Sequence, residues 1–183
     1  MRWLIRIVAA VLVIGVALTA IGLIFLPRTV AVSRSIVIDA PVATVWPLVS
    51  NLRVLNDWQP WAAYDPQGTK YTYEGPELGV GQVMNWRSDH PNVGTGRQEV
   101  IAMQTERSVT TRLDFGDMGT AEASMVLDPD GERTRATWDF KTDLGMDPLA
   151  RWFGLMFDSW VGNDYDKGLQ NLKTLAEKKA REG

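Results

Sequence analysis

The chain has 183 residues, a formal net charge of −3 and no cysteine. That length suits one compact domain with its own apolar core, and the missing thiols exclude disulfides, thiolate nucleophiles, zinc–thiolate sites and iron–sulfur clusters. The acidic balance argues against a phosphate-tracking surface and hence against nucleic acid as a partner; Lys178, Lys179 and Arg181 read as a solvated, dipole-complementing helix end in a charged tail at 178–183.

The first predicted element is a membrane span. Ile7 to Leu26 carries no charge, and at a rise of about 1.5 Å per residue such a helix covers about 30 Å, the thickness of a bilayer's hydrocarbon core. Arg2 and Arg6 before it, Trp3 at the interface and Pro27-Arg28 after it predict a single-pass anchor at 1–28 in the cell (inner) membrane, with the domain extracytoplasmic. Arg28 and Arg34 on the far side weigh against that orientation. A cleaved signal peptide is the competing reading, with Thr29-Val30-Ala31 as its cleavage site, although an apolar core this long is more typical of an anchor. Gly15, Thr19 and Gly22 would let two such helices approach closely, a route to an anchor-mediated dimer. Residues 29–34 read as a spacer, which sets the folded domain at 35–177 close to the membrane.

A short apolar run, Ile36-Val37-Ile38, stops at Asp39-Ala40-Pro41, where an N-cap carboxylate and a Pro open a helix with Val42, Val45, Trp46 and Val49 on its apolar face. Pro47 lies past the first turn and requires a kink or a short helix. A second helical piece follows near Leu52 to Asn56, and Trp58, Pro60 and Trp61 then place two indoles on a turn. From Lys70 the period becomes two. Strands read at Lys70 to Glu74, Gln82 to Arg87, Gly96 to Met103, Ser108 to Phe115, Thr120 to Leu127 and Arg133 to Lys141, with turns at Gly79-Val80-Gly81, Asp117-Met118-Gly119 and Asp128-Pro129-Asp130-Gly131. Short turns between consecutive strands imply an antiparallel meander. Val109, Thr111, Leu113 and Phe115 point one way, and Ser108, Thr110, Arg112 and Asp114 the other, so one face is buried and needs a helix over it.

That helix is predicted at the C-terminus. Asp147 caps it, Pro148 takes its first position, and Leu149, Trp152, Phe153, Met156 and Trp160 recur at spacings of three and four. Gly162-Asn163 predicts an interruption or kink before Leu169, Leu172 and Leu175 resume the stripe. Asp164 and Asp166 read as helix-opening acids.

Three stretches carry a resemblance: SRSIVIDAPVATVWPLVSNLRVLNDWQPWAAYDP from Ser33 to Pro66, TYEGPELGVGQVMNW in the middle, and VGNDYDKGLQNLKTL near the end. Over roughly Ser33 to Glu177 the chain resembles the START-related, polyketide cyclase/dehydrase-like (SRPBCC) superfamily, which also includes the major birch pollen allergen. The resemblance implies an α+β helix-grip fold, with an antiparallel sheet of six or seven strands wrapped around a long C-terminal helix. It also implies a cavity that commonly holds an apolar ligand.

Motifs for chemistry are scarce. His90, the single histidine, lies in a turn-like Ser-Asp-His-Pro-Asn stretch without the packed neighbours of a catalytic triad or a metal site. Gly79-Val80-Gly81 and Gly94-Thr95-Gly96 lack the third glycine and the strand-to-helix context of a dinucleotide fingerprint, and no cofactor is expected. Arg97 and Glu99 share a strand face and read as a surface ion pair. Tryptophan is the positive signal. Trp46 reads as core; Trp58, Trp61, Trp86, Trp138, Trp152 and Trp160, with Met84, Met125 and Met156 as adaptable fillers and Leu113 and Phe115 on the inner sheet face, are the expected ligand-contacting wall. No catalytic residue and no metal ligand is nominated.

Two functions from different classes follow. One is a membrane-tethered carrier, sensor or binding domain for a hydrophobic small molecule or lipid; the other is a cyclase- or dehydratase-type enzyme using the same cavity. A third is a partner-binding domain whose cavity is vestigial. The fold alone does not choose among them.

Overall fold

The computed structural model describes residues 2–182. Four α-helices and seven strands follow one another as α1 (Arg2–Ile24), β1 (Thr29–Ile38), α2 (Val42–Val49), β2 (Lys70–Glu74), β3 (Val83–Arg87), β4 (Thr95–Gln104), β5 (Ser108–Asp114), β6 (Thr120–Asp130), β7 (Arg133–Asp143), α3 (Pro148–Gly154) and α4 (Phe157–Glu182). Short 3-10 turns lie at Leu55–Asp57, Pro60–Ala63 and Gly116–Met118. The strands form a single antiparallel sheet in the order β1-β7-β6-β5-β4-β3-β2. Only β1 is out of sequence order, so α2 and the two following 3-10 turns must carry the chain from one edge of the sheet to the other. With α4 against its inner face, this is the helix-grip arrangement that the resemblance implies.

The sheet is one-sided because its residues alternate. On β6, Ala121, Ala123, Met125 and Leu127 are buried, and on β7 so are Thr134, Ala136, Trp138 and Phe140. Cross-strand register sets small beside large: Ala123 opposite Phe140, Met125 opposite Trp138 and Leu127 opposite Ala136. Val109 and Thr111 of β5 are buried while Arg112 and Asp114 are exposed, the alternation expected from sequence. A bulge between Val100 and Ala102 bends β4 where the sheet curls around the helix.

Helix α4 buries Gly162, Tyr165, Gly168, Leu169, Leu172 and Ala176 at spacings of one to four, one continuous stripe along the sheet. Its polar flank clamps onto β1. Arg34 donates to Asp158 Oδ1 at 3.0 Å and to Asp166 Oδ2 at 3.3 Å. Further along, Lys173 Nζ lies 2.7 Å from Glu177 Oε1 and donates to the Val37 carbonyl at 2.7 Å. Gly162 is the residue that lets the Arg34 guanidinium lie against the helix, since a Cβ there would overlap it.

Several expectations are corrected. Residues 29–34 are not a spacer: they form the start of β1, paired from Thr29 opposite Asp143 onward. Their alternating, β-branched character is short, and their partner strand lies more than a hundred residues away in sequence. The first helix is capped at Pro41 without a side-chain bond; Asp39 faces Lys173 instead, and its N–H donates to Glu177. Pro47 does keep α2 short, at 8 residues. Asp147 caps α3 as expected, accepting from the N–H of Leu149 and Ala150. The break in the C-terminal helix falls at Leu155-Met156, however, and Gly162-Asn163 lies inside α4. Asp164 and Asp166 are accordingly mid-helix ion-pair partners of Lys167 and Arg34. Helix α4 runs on through 178–182, and β6 runs through Asp130 so that the turn tightens to Gly131-Glu132. Arg97 and Glu99 form the expected surface pair at 2.6 Å, and Trp46 is core.

Gly168 sets how closely α4 approaches the sheet, because a Cβ there would stand 2.8 Å from the Trp138 ring and 3.1 Å from Pro60. Gly168→Ala is expected to destabilise the domain. Overpacking of about 1–3 kcal/mol outweighs the gain of about 1 kcal/mol in helix propensity. Thermal unfolding of the detergent-solubilised protein reads the sign; an unchanged or higher melting temperature would show that the ring yields.

Candidate functional site

The alternation that buries one face of the sheet does not fill the space beneath α4 uniformly. A cavity of about 540 Å³ remains between the inner faces of β3 to β7 and the first turns of α4. Its inner wall comprises Met84 and Trp86 of β3, Gln98 of β4, Leu113 of β5, Ala121 of β6, Phe140 of β7, and Phe157, Val161 and Tyr165 of α4, with Phe115 just beyond β5. Trp61 and Tyr71 close one side. At the other end Asp117, Met118 and Gly119 of the β5–β6 connection face Leu144, Asp147 and Ala150 at the β7–α3 junction. Met118 is 80% exposed while Met84 is 2% exposed, so this end is the mouth and β3 the floor.

Five of the eleven sequence-predicted contact residues line this space: Trp61, Met84, Trp86, Leu113 and Phe115. Gly96 makes room for the Trp86 ring, whose Nε1 donates to the Val93 carbonyl at 3.2 Å and whose edge meets Phe115. Three others are corrected to core. Trp138 stacks on Tyr165 at 3.8 Å and meets Trp58 and Trp61 edge-on at 5.0 and 5.8 Å. Trp58 is buried with Nε1 donating to the Leu48 carbonyl, and Met125 is buried opposite Trp138. The last three lie outside the cavity, because the break at Leu155-Met156 turns the α3 stripe away from the sheet. Trp152 donates to the Leu18 carbonyl of α1 at 3.1 Å, and Met156 and Trp160 are exposed.

Two polar inner-wall residues escaped the sequence reading. Gln98 is buried, and its Nε2 donates to Thr111 Oγ1 at 3.0 Å, which in turn donates to the Ala123 carbonyl. Gln98 lines the cavity, and its carbonyl oxygen has no hydrogen-bond donor among the described residues. Tyr165 is buried to 2% exposure, and no described residue hydrogen-bonds its hydroxyl. Burial, aided by the Asp139 carboxylate, pushes this phenol far above its ordinary range, so it remains a neutral donor and acceptor at any physiological pH. Signals for both existed: Gln98 holds an inward position two before Val100 on β4, and Tyr165 sits four after Val161 and four before Leu169 on α4.

Titratable groups stand at the rim. Asp143 is held by Arg28, Nε to Oδ1 at 2.8 Å, and by the N–H of Gly145, and these hydrogen bonds lower its pKa to about 2. His90 stacks on Tyr64 outside the cavity and accepts from the N–H of Asn92. Among the described residues no group of three His, Cys, Asp or Glu is placed to hold a metal ion.

A family model described as polyketide cyclase / dehydrase and lipid transport matches residues 29–177. The chain belongs to this family. The match begins at Thr29, the first residue of β1, in agreement with the strand found there. No curated protein matches the sequence. Solved structures show the same fold at low identity. The di-domain ARO/CYC StfQ of the steffimycin biosynthetic pathway is 12% identical with a TM-score of 0.62, over 84% of this chain and 52% of that one. Truncated norcoclaurine synthase from Thalictrum flavum is 12% identical with a TM-score of 0.56, over 80% of this chain and 92% of that one. A protein from Nitrosomonas europaea is 13% identical with a TM-score of 0.58, over 82% of this chain and 96% of that one.

Two outcomes test the site. Trp138→Leu is expected to cost about 2 kcal/mol or more in stability, read by thermal unfolding, because it empties the stack on Tyr165. Asp143 has a folded pKa below its unfolded one, so its pairing contributes at pH above 3.8 and is lost as pH falls towards about 2. Asp143→Asn should therefore flatten that acid limb of the stability curve and leave its slope near neutrality unchanged.

Proposed function

We propose that the protein is a membrane-tethered binding domain, a carrier or sensor, for a hydrophobic small molecule or lipid held between the sheet and α4. The observation that carries this reading is the chemistry of the cavity's inner wall. Apolar side chains dominate it, Gln98 and Tyr165 offer hydrogen bonds without charge, and the carboxylates Asp117, Asp143 and Asp147 stand only at the rim. A volume of about 540 Å³ suits one small-molecule ligand. The preferred ligand is then largely apolar, with one hydroxyl or carbonyl to meet the Gln98 oxygen and the Tyr165 hydroxyl.

The tether rests on α1, a helix long and apolar enough to cross a membrane, whose side chains are mostly exposed in the chain by itself. Exposed apolar surface of that extent requires a bilayer or an equivalent cover. The charge flanks favour a cytoplasmic N-terminus and an extracytoplasmic domain in the inner membrane. Carbonate extraction and protease protection check both points: release at high pH removes the anchor, and protection of the domain from external protease reverses the orientation.

A second reading is supported by the company the family keeps, since StfQ is an ARO/CYC protein and norcoclaurine synthase is an enzyme. In that reading Tyr165, kept protonated by burial, polarises a substrate carbonyl. Ligand binding precedes both. Long-chain lipids or polycyclic aromatics are expected to change indole fluorescence saturably and raise the melting temperature. Leu113→Trp should weaken both effects by narrowing the cavity at its wall, and Tyr165→Phe should weaken binding about fivefold, the loss of one neutral hydrogen bond of about 1 kcal/mol. Absence of any response across such a library favours the partner-binding alternative.

A further inference from the structure

We propose that α3 is a membrane-docking element which lies in the bilayer interface beside α1 and holds the cavity mouth at the membrane surface. This rests on the reading of α1 as a membrane span. Helix α3 and its flanks expose Met146, Leu149, Phe153, Leu155, Met156 and Trp160; Leu149 is 62% and Leu155 57% exposed. A run of large apolar side chains over so short a stretch is not an ordinary water-facing surface.

The contacts of α3 with α1 say what covers it. Gly22 is the only buried residue of α1, and a Cβ there would stand 3.1 Å from the Trp152 indole nitrogen and 3.2 Å from Pro148. Trp152 Nε1 donates to the Leu18 carbonyl at 3.1 Å. Arg151, itself 5% exposed, donates to the carbonyls of Leu23 at 2.8 Å and Leu26 at 3.4 Å, and doubly to that of Gly145. The guanidinium thus satisfies carbonyls at the end of α1 that lack helical donors, and it sits at the negative end of the helix dipole. From Leu18 to the end of α1 is about 9 Å of helix axis. A span with its end at the bilayer surface therefore places α3 at the depth of about 5–10 Å at which interfacial helices lie.

Leu144, Asp147 and Ala150, which line the cavity mouth, belong to the same β7–α3 unit, and Met118 forms the opposite lip. The mouth therefore opens beside the embedded helix, and an apolar ligand passes between cavity and bilayer without crossing bulk water. Arg151 is the only basic residue on α3 and is buried, so the contact is apolar and does not require anionic lipid.

The chain's lack of cysteine makes the test direct. Full-length single-cysteine variants Ile14→Cys, Leu149→Cys, Phe153→Cys and Glu122→Cys are labelled with an environment-sensitive fluorophore and reconstituted into phosphatidylcholine vesicles. Position 14 reports the span, positions 149 and 153 report α3, and position 122 reports the exposed outer face of the sheet. The expected result is a blue-shifted emission at 14, 149 and 153 that nitroxide-labelled lipid quenches and aqueous iodide does not, with the reverse at 122. If 14 is quenched by lipid while 149 and 153 behave like 122, the docking proposal is overturned and the tether stands. If 14 is itself open to iodide, the tether reading has failed and the proposal falls with it.

Discussion

The stack of Trp138 on Tyr165 divides the interior of this domain. Its ring planes lie within 9° of each other, 3.8 Å apart, and Trp58 and Trp61 brace the indole from the side. On one side of this barrier α4 presses directly on the sheet through Gly168, Leu169 and Leu172 and leaves a packed core. On the other side the aromatic pair acts as a spacer. The first turns of α4 are held off β5 and β6, where Ala121 and Leu113 are too small to reach across, and the gap is the cavity. An open volume of this size forgoes dispersion contacts that a filled core would make. The stability of the packed half offsets that loss, so the tryptophans that shape the cavity are largely not the ones that line it.

This explains what could be read from sequence. The strands, their hairpins and the capped start of α3 follow from local periods and turn residues, and all were legible. The beginning of β1 was not, because Thr29 to Ser33 becomes a strand only by pairing with Asp139 to Asp143. The break at Leu155-Met156 follows Gly154, the glycine that ends α3, whereas Gly162 carries a competing signal whose cause is tertiary, the approach of Arg34. The cavity-lining position of the strand residues Met84, Trp86 and Leu113 was legible because alternation assigns a face. The placement of Trp58 and Trp138 in the packed core was not legible, because whether an indole faces space or another ring depends on the size of residues contributed by distant elements. Trp152 lies away from the cavity because it packs on α1, a contact between elements more than a hundred residues apart in sequence.

Helix α1 and the domain are joined at several levels. Only Phe25 to Arg28 intervene between α1 and β1, Arg28 pairs with Asp143 at the end of β7, and Arg151 binds the last carbonyls of α1. Asp143 contributes to two of these features at once, through Arg28 on one side and the N–H of Gly145 on the other. The exposed Arg28–Asp143 pair adds little stability in water, but it links the segment after α1 to the end of β7. With α1, the start of β1 and the β7–α3 junction tied together, the rim of the cavity keeps a set orientation relative to the helix axis.

That orientation bears on the choice between binding and catalysis. An enzyme working on a soluble substrate needs a mouth that faces water and acid or base groups beside the reacting atoms. Here the groups deep in the cavity are uncharged, Tyr165 is a neutral phenol whose burial opposes ionisation, and the carboxylate nearest the tether, Asp143, is already committed to Arg28. With charge at the rim and neutral hydrogen-bonding groups on the inner wall, the proposed binding role calls for an apolar molecule with one polar end turned inward. Under the proposed binding role, an uncharged lining suits a ligand held by shape and one neutral hydrogen bond, whereas the alternative role would have to work through the Tyr165 phenol alone.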